Sequence, residues 1–285
     1  MVGISKQAFH KHLNRRIKKM EELNYLIPIV DQVRSDHPKM ALRYIYKLIG
    51  PKTMGRDAFE EQFAQLGYKV CIDRNFRRTT DSTGVIRFDN LIIDREFTHV
   101  NQAWVSDITY YEMNGRFYYL TFITDLYSRK VLGWSCSTTL RADQTTIPAL
   151  RKAFWIRKGI DLRGAIIHSD GGGQYYCKEF LSLTKKQGLV NSMGKTAYEN
   201  PHAERLNGII KNNYLKPYNP ETPGELRSAL TKAVRMYNSE KPHSSIGGMS
   251  PDRFEELIKD KIHSNNRMKV NYLDIYRTIN TVNLI

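Results

Sequence analysis

The chain has 285 residues, of which 41% are hydrophobic, enough for one sizeable core and one or two small modules and too many for a disordered chain. Forty-four lysines and arginines against 29 acids give a formal net charge of +15. That balance favours a polyanionic partner, although basic charge alone is weak evidence. No apolar run approaches the roughly 20 residues of a membrane span, and no leader-like apolar segment opens the chain, so the expectation is a cytoplasmic protein with no membrane partner. Cys71, Cys136 and Cys177 are odd in number and far apart, which supplies neither a disulfide framework nor a zinc spacing.

Residues 1–72 read as a helical, basic module. Ser5 is an N-cap candidate for a first helix with Phe9, Leu13 and Ile17 as its apolar stripe. Lys6, Lys11, Arg15 and Arg16, with Lys18 and Lys19, make the rest of that helix positive. Two readings stand side by side: a recognition-type helix of a helix-turn-helix touching DNA phosphates and bases, or an ordinary surface helix with a solvated basic face. Further helices are expected over Leu23–Val33, Met40–Leu48 and Asp57–Leu66, punctuated by Pro38, Pro51, Gly55 and Gly67. From 73 to 100 the periodicity fades while Arg74, Arg77, Arg78 and Arg87 accumulate, which reads as a basic linker.

Residues 101–258 carry strand and helix patterns in alternation. Trp104–Tyr111 and Phe117–Asp125 are strands joined at Asn114-Gly115, a strong hairpin signal. Val131–Ser137 is a third strand, Asp143–Lys158 a helix with Ile147, Leu150, Ala153 and Phe154 inward, Gly164–Ser169 a strand, and Lys178–Gln187 a helix. A short strand and a helix beginning near Pro201 follow, with Leu206, Ile209 and Ile210 towards the core. Pro223–Tyr237 and Pro251–Ile258 close the unit as helices, and 259–285 is a polar tail with no functional reading.

Three acids stand out against this pattern. Asp107 lies inside the first strand, and Asp170 follows the buried run Ala165-Ile166-Ile167 at a break into Gly171-Gly172-Gly173, where absent side chains leave its carboxylate unobstructed. Glu204 sits in the first turn of the helix after Asn200-Pro201, and Lys211 lies two turns further on the same face. Hard carboxylate oxygens of this kind suit magnesium. Two divalent ions about 3.5–4 Å apart, sharing such ligands, are what an in-line phosphoryl transfer needs. Without cations the acids would repel one another.

The segments WVSDITYY, IIHSDGGGQYY and YENPHAERLNGIIKN, followed by Tyr237-Asn238 and Lys241-Pro242-His243-Ser244-Ser245-Ile246-Gly247, resemble the conserved blocks of DDE transposases and retroviral integrases. More narrowly they are similar to the second-frame (orfB-type) transposases of insertion-sequence family 3, over about Trp104 to Arg253. Thirty-three residues separate Asp170 from Glu204, two fewer than is usual there; the deficit falls in the loop 194–200, ahead of the helix. Three antiparallel strands followed by alternating helix and strand describe an α/β, ribonuclease-H-like mixed sheet core flanked by helices and preceded by a small all-α N-terminal module. The resemblance implies metal-dependent cleavage and strand transfer of an insertion element, with Asp107, Asp170 and Glu204 as catalytic acids and ligands of two Mg2+ or Mn2+ ions. It implies double-stranded DNA (element ends and target) as partner, nucleoid association when bound, a homo-oligomer on paired ends, and a first-frame (orfA) companion or fusion. A ribonuclease-H-like nuclease without strand transfer, and a transposase-derived DNA-binding protein without activity, are the alternatives.

Lys211 is the first candidate for a DNA contact, followed by Lys195; Arg205 reads equally as a DNA contact or as a surface residue. Asp125 reads as a turn cap or a partner of Arg129, and Glu199 lies outside the helix that carries Glu204. His168 reads as supporting, Tyr175 and Tyr176 as packing, and His243 as a turn residue.

Overall fold

A computed structural model describes residues 6–51, 54–70, 88–194 and 199–262. The chain divides into two compact units, Met1–Asn75 and Phe76–Ile285. In the first unit, α1 (Lys6–Asp36) is one helix of 31 residues, and α2 (Leu42–Ile49) and α3 (Arg56–Gln65) follow it. The two helices expected at Ser5 and at Leu23–Val33 are therefore a single element. Met20-Glu21-Glu22 contains no breaker, and Pro28 removes one helix hydrogen bond without ending the helix. Leu26 and Val30 of α1 pack with Ile45, Phe59 and Phe63 into a small core. Arg34 stitches its edge by donating to the Pro38 and Tyr68 carbonyls. The expected stripe of Phe9, Leu13 and Ile17 is not part of that core: these side chains are 56%, 42% and 46% exposed.

The second unit is built on five strands: β1 (Ala103–Met113), β2 (Arg116–Asp125), β3 (Val131–Ser137), β4 (Ile166–Ser169) and β5 (Val190–Met193), in spatial order β3-β2-β1-β4-β5. The β1–β2 hairpin turns where both Asn114 and Gly115 have positive φ, 51° and 71°, as a tight two-residue turn requires. β2 and β3 pair antiparallel, whereas β1–β4 and β4–β5 are parallel. The parallel pairings need crossovers, which α4 (Thr146–Ile156) and α5 (Lys178–Lys186) accompany in sequence. Both helices cover one face, burying Trp104, Ile123, Ile147, Leu150, Phe180 and Leu189. α6 (Pro201–Ile209) runs without interruption through a π-helical stretch (Ile210–Leu215) into a last turn, α7 (Lys216–Tyr218). With α8 (Pro223–Ser239) this rod covers the opposite face, where Leu206, Ile210, Tyr214, Leu226 and Leu230 meet Tyr118, Leu120 and Phe122. Alternation along β2 thus sends Phe122 to one layer and Ile123 to the other. α9 (Pro251–Ile262) docks through Phe254 on Tyr127 and through a buried bidentate pair, Glu255 with Arg157 at 2.9 and 2.5 Å.

The layer between α4 and β3 is tight at one point. A Cβ placed on Gly133 would stand 2.0 Å from the Ala149 carbonyl oxygen, a backbone atom that cannot swing aside. Gly133→Ala is expected to cost about 3 kcal/mol or more, at the upper end for an overpacked core, read as a lower denaturation midpoint in urea at unchanged slope.

One further expectation needs correction. Residues 88–100 are not linker: Ile92 and Phe97 are 1% and 3% exposed and pack with Val105, Leu126, Ile166 and Ala203. Backbone pairing of Asp89 with Met193, and the Leu91 amide on the Ser192 hydroxyl, hold this stretch against β5. Three adjacent apolar residues, Leu91–Ile93, have no helix or strand period, so the sequence pattern alone did not place them. Arg74, Arg77, Arg78 and Arg87, like Ser5, Cys71 and the tail after 262, lie outside the described residues.

Candidate active site

Asp107 belongs to β1, and Asp170 follows the last residue of β4, the parallel neighbour of β1. The sheet therefore brings the two carboxylates to one place, and each is mostly buried. Burial first, and then the charge of Asp170, pushes the Asp107 carboxyl up to about 7 against the opposing hydrogen bonds it accepts. Those bonds come from the Ile108 amide at 2.9 Å and the Asn207 Nδ2 at 2.7 Å. Burial likewise raises the Asp170 carboxyl, offset in part by a 3.2 Å bond from the Gly172 amide. A Cβ on Gly172 would stand 3.1 Å from Asp170 Oδ1, so the missing side chain keeps that oxygen clear. The Tyr176 hydroxyl holds the Asp170 carbonyl at 3.0 Å.

Glu204 arrives from the helical rod. Pro201 occupies the first turn of α6, with Asn200 at its N-cap position. The Asn200 side chain does not cap the helix; it reaches across to the Ser106 carbonyl at 2.8 Å and so ties the start of α6 to β1 one residue before Asp107. Glu204 itself is solvent-exposed, and its charge reaches Asp107 only as the weakest contribution to that group. Among the described residues, no three His, Cys, Asp or Glu side chains form a group able to hold an ion as they stand. The structure joins Asp107 and Asp170 and sets Glu204 on the adjoining helix. The donor chemistry nevertheless fits a hard divalent cation: neither aspartate forms a salt bridge among the described residues, and two buried carboxylates facing each other are stabilised by a cation between them.

Lys211 lies on the π-helical stretch, not on a continuing α-helix, yet it reaches the same place. Its ammonium donates to Thr109 Oγ1 at 2.7 Å and lies 5.3 Å above the Tyr110 ring. Burial lowers its pKa, while Asp107 and Glu204 favour its charge. Arg205 is exposed beside Glu204; Lys6, Lys11, Arg15 and Arg16 are exposed on α1; Lys195 lies outside the described residues.

The supporting residues sort cleanly. Asp125 caps its turn, accepting from the Asn101, Tyr127 and Ser128 amides, while Arg129 bonds His202 instead. Glu199 lies ahead of α6 and accepts from Asn90 at 2.7 Å. His168 is fully buried, bonded to Ser192 at 2.9 Å, and pushed down to about 4 by burial, so it is neutral and structural. Tyr175 is core, bonded to Ser106 Oγ. Asn207 is the residue that sequence reading missed. Its position, one turn after Glu204 on the same helix face, was the available signal.

A β3-β2-β1-β4-β5 mixed sheet with helices on both faces defines the ribonuclease-H-like class of folds. Two models, each described as an integrase core domain, match residues 98–198 and 188–251, together more than half of the chain. A putative transposase for the insertion element IS986/IS6110 of Mycobacterium tuberculosis is 26% identical over 271 residues, covering 88% of this chain and 95% of the relative. The transposase InsF for insertion sequence IS3A of Escherichia coli K12 is 34% identical over 158 residues, 54% of each chain. The solved HTLV-2 integrase catalytic core domain, in complex with magnesium, is 25% identical with a TM-score of 0.45, covering 54% of this chain and 95% of that one. The chain belongs to the integrase-core family, as a DDE transposase of insertion-sequence family 3. No helix among the described residues is long and apolar enough to cross a membrane.

Proposed function

We propose that this transposase cuts double-stranded DNA at the ends of its insertion element and joins the freed 3′ ends to target DNA by two-metal phosphoryl transfer. The observation that carries the reading is the pair of buried carboxylates, Asp107 and Asp170, raised above the ordinary range by burial and held in place by Asn207, Ile108 and Gly172. Asp107, Asp170 and Glu204 would hold two Mg2+ or Mn2+ ions, whose chemistry is to activate the attacking oxygen and stabilise the leaving one. The exposure of Glu204 gives that side chain freedom to turn inward when the ions and DNA are present. Lys211 sets a positive charge beside the acids, where a phosphate oxygen of the cut strand would lie. Thr109 and Tyr110 fix its direction. Arg205 and Lys195 extend that contact along the backbone, and Lys6, Lys11, Arg15 and Arg16 supply sequence-independent attraction from α1. A homo-oligomer acting on paired ends, with a first-frame companion or fusion for end recognition, completes the reading.

The test is cleavage and joining in vitro on a duplex carrying the element's own end, with Mg2+ or Mn2+, for the natural chain, Asp170→Asn and Glu204→Gln. Metal-dependent joining by the natural chain and none by either variant is expected. Cutting without joining would instead establish a nuclease, and joining that survives Glu204→Gln would remove Glu204 from the site.

A further inference from the structure

A second concentration of charge gathers around the first turns of α6. His202 and Arg205 come from the first turns of α6, Arg129 from the β2–β3 turn, and Lys241 and His243 from the segment joining α8 to α9. Arg129 is 7% exposed, with positive φ (66°), and its guanidinium bonds His202 Nδ1 at 2.7 Å. Neither Arg205 nor Lys241 forms a salt bridge among the described residues, and the sole hydrogen bond of the Lys241 ammonium is a long one, 3.5 Å, to the Pro242 carbonyl. His243 stands edge-on to Tyr237, ring centroids 4.6 Å apart, and its Nε2 is sealed from solvent with no hydrogen-bond partner.

These groups act on one another. Burial and then the charge of Arg205 bring the Lys241 ammonium down to about 8. Burial, then Lys241, Arg129 and Arg205, hold His243 well below its ordinary range, and burial with Arg129 and Arg205 does the same to His202. Gathering like charges at a partly buried place costs folding free energy unless an anion joins them. The buried His243 Nε2 has no partner among the described residues to offset those charges.

We propose that Arg205 and Lys241, backed by His243 and the Arg129–His202 pair, form a second phosphate site that grips a backbone phosphodiester of the DNA strand flanking the cut. The site rests on the transposase reading above and adds to it a role for the Lys-Pro-His turn. Arg205 follows Glu204 directly on α6, so a strand whose reacting phosphate lies at the acids has a neighbouring phosphate within the region these groups cover. A flexible lysine and a forked guanidinium suit phosphate oxygens. Because the contact is to backbone, it contributes affinity and register but reads no base.

The experiment is the salt dependence of binding to a duplex of arbitrary sequence, by fluorescence anisotropy, for the natural chain, Arg205→Gln, Lys241→Gln and the double variant. Each phosphate contact contributes about 0.9 to the slope of log affinity against log salt. Because both groups share one phosphodiester, the expected result is a slope shallower by up to about one for each single variant and by about one for the double, without loss of melting temperature, with Lys241→Arg restoring it. Inorganic phosphate in the titration separates sources: weak competition at millimolar concentrations fits a diester site, whereas tight phosphate binding with unaltered DNA slopes would overturn the proposal in favour of a free-anion site. Unaltered slopes in all variants, while the natural chain binds duplex, would overturn this site alone. Arg205 is exposed, so that variant keeps the test valid if Lys241→Gln unfolds. A natural chain with no salt-dependent affinity for duplex would instead sink the DNA reading from which the site follows.

Discussion

Asp107→Asn is expected to abolish metal-dependent joining, by at least about 1,000-fold, and at the same time to stabilise the metal-free protein. The two effects share one cause. In the fold the Asp107 carboxyl is pushed up to about 7, by burial first and by Asp170 second; in the unfolded chain it titrates near the ordinary value of about 4. A raised carboxyl pKa means that the ionised form is disfavoured by folding. The cost is absent below the ordinary range, grows as pH rises between about 4 and 7, and is fully present above. At pH 8 it is on the order of 4 kcal/mol, which the amide removes while keeping the shape of the side chain. The natural protein should therefore lose stability relative to the variant as pH rises from 5 to 8. Added Mg2+ should return that stability to the natural protein and leave the variant unmoved. Thermal melts of both proteins across pH, with and without Mg2+, check this. Equal Mg2+ stabilisation of the variant would show that Asp107 holds no ion.

Asn207→Ala is expected to raise the Mg2+ concentration needed for half-maximal joining by about 10–100-fold, the usual cost of losing a partner that orients a metal-binding carboxylate. The 2.7 Å bond from its amide is the only side-chain hydrogen bond to Asp107 among the described residues, and it runs from the helix that also carries Glu204. Without it the Asp107 carboxylate can rotate, and the rod carrying Glu204 loses one of its polar ties to β1, others being Asn200 to the Ser106 carbonyl and Lys211 to Thr109 Oγ1. Saturating Mg2+ should recover most of the rate in Asn207→Ala, because the carboxylates themselves remain. Asn207→Asp should behave differently. It places a further negative charge against a carboxyl already disfavoured by Asp170, so its metal-free form should be less stable than that of the alanine variant. An unchanged Mg2+ requirement in both variants would reduce Asn207 to a packing residue.

What could be read ahead of the structure was what short stretches of chain determine. Asn114-Gly115 dictates a two-residue turn, because both positions need positive φ, and the alternating residues on either side then pair as β1 and β2. Asp170 before three glycines, and Pro201 opening the helix that bears Glu204, are local statements of the same kind. Asp107, Asp170 and Glu204 were singled out by their place in these local patterns and by the resemblance of their segments to a known family's blocks. Tertiary structure alone decided the rest. Residues 88–100 joined the core because Ile92 and Phe97 find a pocket made by distant strands, which no period in their own sequence announces. Asp125 chose backbone amides over Arg129 because His202, 73 positions away, engages that guanidinium. Asn207 acquired its role from a strand 100 positions earlier. The sequence by itself determined on which elements the three acids stand; the sheet order and the helical rod decided which neighbours hold those groups and how charged they are. The physical reason is range: turn and helix preferences act over a few residues, whereas burial and Coulomb interactions depend on what long-range packing brings alongside.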